Sequence, residues 1–153
     1  MTGRILLALV SAMALSHAAC GAGGDNTTTK HGDNMKIRLR IGNSALTATL
    51  IDSRAAKDFV ALLPLTLTLN DLFGREKFAH LPRAISTEGK RTHIYEVGDI
   101  AYWSPGPDVA IYYQHDGEKI PKPGIIVLGK LDSGVEAFNV PGSVEVKIEV
   151  MHE

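Results

Sequence analysis

Residues 35–41, MKIRLRI, alternate without a break: Met35, Ile37, Leu39 and Ile41 take one side, and Lys36, Arg38 and Arg40 the other. Successive side chains of an extended strand point to opposite faces, so the pattern describes a strand with one face buried. The end of the chain repeats it, with Val144, Val146, Ile148 and Val150 inside and Glu145, Lys147 and Glu149 outside. First and last strands of the same kind suit a sheet that closes on itself, because a small antiparallel barrel hides the edges an open sheet leaves unpaired. The expected fold class is mainly β, a closed antiparallel barrel.

The stretches between fill in the barrel. GNS (residues 42–44) makes a turn, and Leu46, Ala48 and Leu50 alternate with Thr47 and Thr49, so the first two strands form a hairpin. One helix follows, capped by Ser53, with Ala56, Phe59, Val60 and Leu63 on one face and Asp52 at its positive end. Pro64 ends it, and the helix is expected to plug an open end of the barrel. LTLTL (65–69) returns to period two. Residues 70–93 read as a long connection with at most one helical turn near Asn70, and connections this long tend to be functional or covered. Strands are expected again at 100–103, 109–114, 124–131 and 143–150, punctuated by SPGPD, HDGEKIPKPG and LDSG.

The first 34 residues are of another kind. Arg4, the apolar run ILLALVSAMAL and the small residues of SHAAC match an export signal over residues 1–19, and the run is too short for a membrane-spanning helix. Cys20 is the only cysteine, so no internal disulfide can form. Its place directly after that run points to lipid attachment, with a lipid anchor as the only membrane contact and the bacterial cell envelope as the location. His17 stands where such signals usually carry an aliphatic residue. Cleavage after Ala18, giving a secreted or periplasmic protein, is the alternative, and a start at Met35, leaving a cytoplasmic domain, is a third. Residues 20–34 hold the cysteine and a linker with no large apolar side chain. The folded domain is expected over 35–153.

The chain's only tryptophan and three of its four tyrosines crowd around one turn: Tyr102 and Trp103 before SPGPD, Tyr112 and Tyr113 after it. Alternation sends the members of each pair to opposite faces. About half therefore enter the barrel, and the rest either brace the hairpin or line a shallow groove. Which half goes where depends on register, since a slip of one residue exchanges them. Phe78, Tyr102, Trp103, Tyr112, Tyr113 and Gln114 are the ligand-binding candidates. Arg75 and Arg83 are candidates to anchor a carboxylate or carbonyl, because a guanidinium offers a fork of donors.

Other chemistry is argued against. The net charge of −1, with no basic block, gives nucleic acid no footing. His80, His93 and His115 have no metal-ligand spacing, so no metal is expected, and no cofactor is implied. Residues 124–130, GIIVLGK, resemble a phosphate loop only superficially, because Leu131 replaces the required hydroxyl and the interior is a buried strand.

RAAKDFVALLPLTLTL, FGREKFAHLPR, VGDIAYWSPGPDVAIYY and GIIVLGKLDSG together resemble the bacterial cyclophilin-like domain family. The resemblance implies a closed barrel of about eight strands with one or two short helices, and little about activity, because fold does not fix function. Cyclophilin enzymes rotate the Xaa–Pro bond with an arginine followed shortly by a Phe-Met-x-Gln run, and that run is missing here. Arg75 with Phe78, or Arg83, could stand in, but neither has the enzyme spacing. The expected function is a non-catalytic module binding a peptide or small ligand. The alternatives are a peptidyl-prolyl isomerase with an atypical site and an envelope scaffold.

Overall fold

The computed structural model describes residues 35–152; the expected signal segment, Cys20 and the expected linker lie outside them. Nine strands form one antiparallel sheet: β1 (Lys36–Ile41), β2 (Ser44–Leu50), β3 (Leu65–Leu72), β4 (Glu76–His80), β5 (Arg91–Thr92), β6 (Asp99–Trp103), β7 (Asp108–Tyr112), β8 (Ile125–Leu131) and β9 (Val144–Val150). The spatial order is β2-β1-β9-β3-β4-β7-β6-β8, and a further pairing of β2 with β8 closes these eight strands into a barrel. β5 is a short addition on β8. The first and last strands are direct neighbours, Leu39 opposite Ile148, as their shared alternation implies.

Helix α1 (Arg54–Val60) is capped by Ser53, whose hydroxyl accepts from Ala56 N at 3.1 Å. It buries Ala55, Ala56 and Phe59. Full burial of a ring such as Phe59 is worth about 2 kcal/mol. The helix ends at Val60, one turn before the sequence periodicity ran out, and Leu63 packs beside the core from the connection that follows. Among the described residues, no helix is long and apolar enough to cross a membrane.

The region after Asn70 differs most from expectation. β3 runs on to Leu72, and β4 follows as its hairpin partner, with Asn70 opposite Phe78 and Leu72 opposite Glu76. Two features hide this hairpin in the sequence. Its turn is Phe73–Gly74, both at positive φ and closed by Arg75 N to Leu72 O at 3.2 Å. Such turns normally announce themselves as Asn-Gly or Asp-Gly. The inward residue of β4 is also a lysine. Lys77 is fully buried, with Nζ 2.6 Å from the carbonyls of Val140 and Gly142 and 2.9 Å from Asp71 Oδ1. An internal ammonium is tolerable only when its donors are satisfied in this way.

The closing seam has its own requirement. Gly129 on β8 lies opposite Leu50 of β2 and Ile100 of β6, beside a register shift in β6. A Cβ there would meet Thr49 O at 2.5 Å and Leu50 Cδ2 at 2.7 Å. Gly129→Ala must therefore push β2 and β8 apart, and a loss of about 1–3 kcal/mol is expected. Urea denaturation checks it; an unchanged midpoint would mean that the barrel closes without this close approach.

Candidate functional site

The outer face of β4, β7 and β6 is apolar where a barrel wall usually meets water. Register sets it out: Glu76 opposite Tyr112, Phe78 opposite Ala110, Ala110 opposite Ala101, and Asp108 between His80 and Trp103. Tyr95, Ala101, Ala110, Tyr112, Ile120 and Ile125 form a buried cluster on this side, with Phe78 and Trp103 packed against it and still partly exposed. The small side chains of Ala101 and Ala110 leave a depression between larger neighbours. Phe78, Trp103, Tyr112, Ile120 and Pro121 help to line a hollow of about 220 Å³ there, and the β3–β4 turn adds Leu72 and Phe73 at its edge.

Arg75 joins the turn to the loop after β7. Its Nε donates to Glu76 Oε2 at 3.2 Å, and its Nη1 to Asp116 Oδ2 at 3.1 Å. Its guanidinium lies 5.1 Å from the Phe73 ring centre and 5.5 Å from that of Tyr95. Its carbonyl accepts from Tyr113 N and Gln114 N. Tyr95 donates to Asp116 Oδ1 at 2.7 Å and stacks on Tyr112 with centroids 4.2 Å apart. Only 6% of Arg75 remains exposed, so its charge is spent inside the protein.

These contacts move the titrations. Burial pushes the Glu76 carboxyl up, against the pull of Arg75 and Tyr112. Burial and then Glu76 raise Tyr112 far above the ordinary phenol range. Asp116 goes the other way: the Tyr95 hydroxyl, the Glu118 amide and Arg75 hold it down at about 2. Asp108 is 8% exposed, and its Oδ1 makes no hydrogen bond, although His80 Nδ1 stands 2.5 Å away outside bonding geometry. Gly106 makes room for this carboxylate, since a Cβ there would sit 1.6 Å from Asp108 Oδ2.

A model of the cyclophilin-like family matches residues 39–149, well over half of the chain. The chain belongs to the cyclophilin-like family. Among solved structures, this cyclophilin-like barrel is similar to a hypothetical protein from Archaeoglobus fulgidus solved in solution, with a TM-score of 0.61 and 20% identity, over 77% of this chain and 95% of that one. It is also similar to McbB, solved in complex with tryptophan, with a TM-score of 0.57 and 14% identity, over 76% of this chain and 45% of McbB. At these identities the likeness is one of fold. No curated protein matches the sequence.

Within this cyclophilin-like domain, Phe78, Trp103, Tyr112 and Arg75 converge on the hollow. Tyr102 and Tyr113 point the other way, into the main core, where Tyr113 donates to Asp71 Oδ1 at 2.7 Å and the Tyr102 hydroxyl accepts from Ile85 N at 3.4 Å. Gln114 and Arg83 are exposed and stand outside the hollow's lining. Sequence reading passed over Asp108, Phe73, Ile120 and Pro121, and took Glu76 for a surface acid beside Arg75. Glu76 was within reach, two residues before Phe78 and therefore on the same face of a strand, had the strand been recognised. Among the described residues no cluster of His, Cys, Asp and Glu could hold a metal ion.

The depressed Asp116 fixes the sign of a pH effect. Its folded value lies below the unfolded value of roughly 3.9, so its contribution is present above pH 4 and lost as pH falls towards 2. Glu76, with a raised value, has the opposite sign: the folded chain takes up its proton first, which favours folding on acidification. Asp116→Asn is expected to be less stable than the parent at pH 6 and to converge with it near pH 2. Thermal melts across that range check this, and two curves that stay parallel to the acid end would show that the carboxylate does not hold the loop.

Proposed function

We propose that this cyclophilin-like domain is a non-catalytic binding module that seats an apolar or aromatic group of a peptide or small ligand in the outer groove. The observation that carries the reading is the preformed hollow walled by Phe78, Trp103 and Tyr112 on a surface that a monomeric barrel would normally cover with polar side chains. McbB, which shares this fold over 45% of its chain, was itself solved in complex with tryptophan. We further propose that residues 1–20 export the domain and attach it to the envelope through Cys20, on the strength of the sequence pattern alone.

Phe73 adds to the binding reading. It is 73% exposed at the rim of the hollow and takes φ +57°, a conformation that a bulky side chain adopts at a cost of about 1–2 kcal/mol. Within the fold its ring meets the Arg75 guanidinium, 5.1 Å from the ring centre. Phe73→Asn supplies the residue such a turn prefers, and it is expected to raise the midpoint of unfolding while weakening ligand binding. A variant that is both more stable and equally tight in binding would remove Phe73 from the site.

An isomerase is the second reading, and Arg75 weighs against it: two carboxylates already occupy the guanidinium that would have to act on the imide. Exchange NMR with Xaa–Pro peptides separates the two. The binding module predicts shifts at Trp103 and Phe78, about tenfold weaker binding in Trp103→Ala or Phe78→Ala, and cis–trans exchange still on its uncatalysed scale of roughly tens to hundreds of seconds. Acceleration that disappears in Arg75→Ala would establish the isomerase instead.

A further inference from the structure

The balance of charge around the hollow is uneven. Arg75 brings one positive charge, already matched by two carboxylates, Glu76 and Asp116, at 3.2 and 3.1 Å. Of the carboxylates, Glu76 and Asp108 line the hollow, two against the one guanidinium, and Asp116 stands outside the lining. The imidazole of His80 beside Asp108 is 72% exposed and does not line the hollow. Lys119 and Lys122 flank Ile120 and Pro121 in sequence, but both are exposed and neither lines the hollow. Lys77, on the same strand as Glu76, faces the barrel interior and is used up there.

The negative excess sits among ring faces. Phe78, Trp103 and Tyr112 present π systems to the same small volume, and such faces attract a cation electrostatically, the more so when it is drawn out of water. Asp108 lines the hollow with a carboxylate whose buried Oδ1 accepts no hydrogen bond, the exposed His80 ring standing 2.5 Å from it. A buried acceptor in that state gains by meeting a donor.

Resting on the reading of the groove as a binding site, we propose that its ligands are cationic: an ammonium or guanidinium group carried on an apolar body, its charge facing Asp108 and the aromatic walls. An anionic ligand is disfavoured, because the only cation lining the hollow is already shared between two carboxylates. A carboxylate seated there would meet Glu76 and Asp108.

A matched set of probes tests this with the full chain: 2-phenylethylammonium, 3-phenylpropionamide and 3-phenylpropionate, titrated at pH 7 and low salt while the Trp103 signal is followed. These share a phenyl ring and differ mainly in charge. The cation is expected to bind about tenfold more tightly than the amide, with the anion weakest. In Asp108→Asn the preference of cation over amide is expected to collapse while the amide still binds, which shows that the groove is intact; Glu76→Gln is the second variant should the first misfold. Equal binding of all three probes would overturn the charge preference and leave the groove standing. Tighter binding of the anion would overturn it in favour of Arg75 as an anchor. No binding of any probe would remove the groove reading itself.

Discussion

Arg75 holds the outer groove in shape. Its guanidinium bridges Glu76 on β4 to Asp116, which lies 41 residues beyond Arg75, and its carbonyl receives the amides of Tyr113 and Gln114. That bridge acts together with Tyr95 on Asp116 and the two hydrogen bonds between Ile120 and His93 to fix the loop that carries Ile120 and Pro121. Burial makes the arrangement demanding. A desolvated carboxylate such as Glu76 is tolerable only because Arg75 and Tyr112 both stand against it. The same contacts that position the loop also leave the arginine little capacity to act on a ligand.

The barrel carries two apolar regions on opposite sides of one wall. Inside, Ile100, Tyr102, Val109, Ile111 and Tyr113 join the main core. Outside, Ala101, Ala110 and Tyr112 belong to a separate cluster. β7 is buried along its whole length for this reason, which explains why its sequence shows a continuous apolar run instead of alternation. The aromatic crowding around the SPGPD turn has the same origin. Half of it fills the barrel, and half forms the floor and wall of the groove.

A parallel economy operates at Lys77. A charged side chain at an inward position would ordinarily exclude a strand, yet here the ammonium ties the loop at Val140 and Gly142 to Asp71 and, 5.5 Å above the Tyr113 ring, closes off the core. The family match and the structural neighbours agree with this closed architecture.

Local pattern was enough for the elements whose signal is local. The alternating first and last strands, the β1–β2 hairpin, the Ser53 cap and the resemblance to the cyclophilin-like family were all legible, as was the split of each aromatic pair between two faces. What alternation cannot supply is the direction: it says that Tyr112 and Tyr113 oppose each other, and is silent on which one faces inward. That was decided by the pairing of β6 and β7 with β4 and β8 and by the register shift between Ile100 and Ala101. The β3–β4 hairpin stayed hidden because its turn uses Phe73 against backbone preference and because it buries a lysine, Lys77, whose partners Val140 and Gly142 are far away in sequence. Asp116 and Glu76 belong to one site for the same reason. Their partnership runs through Arg75 and exists only once the chain has closed on itself.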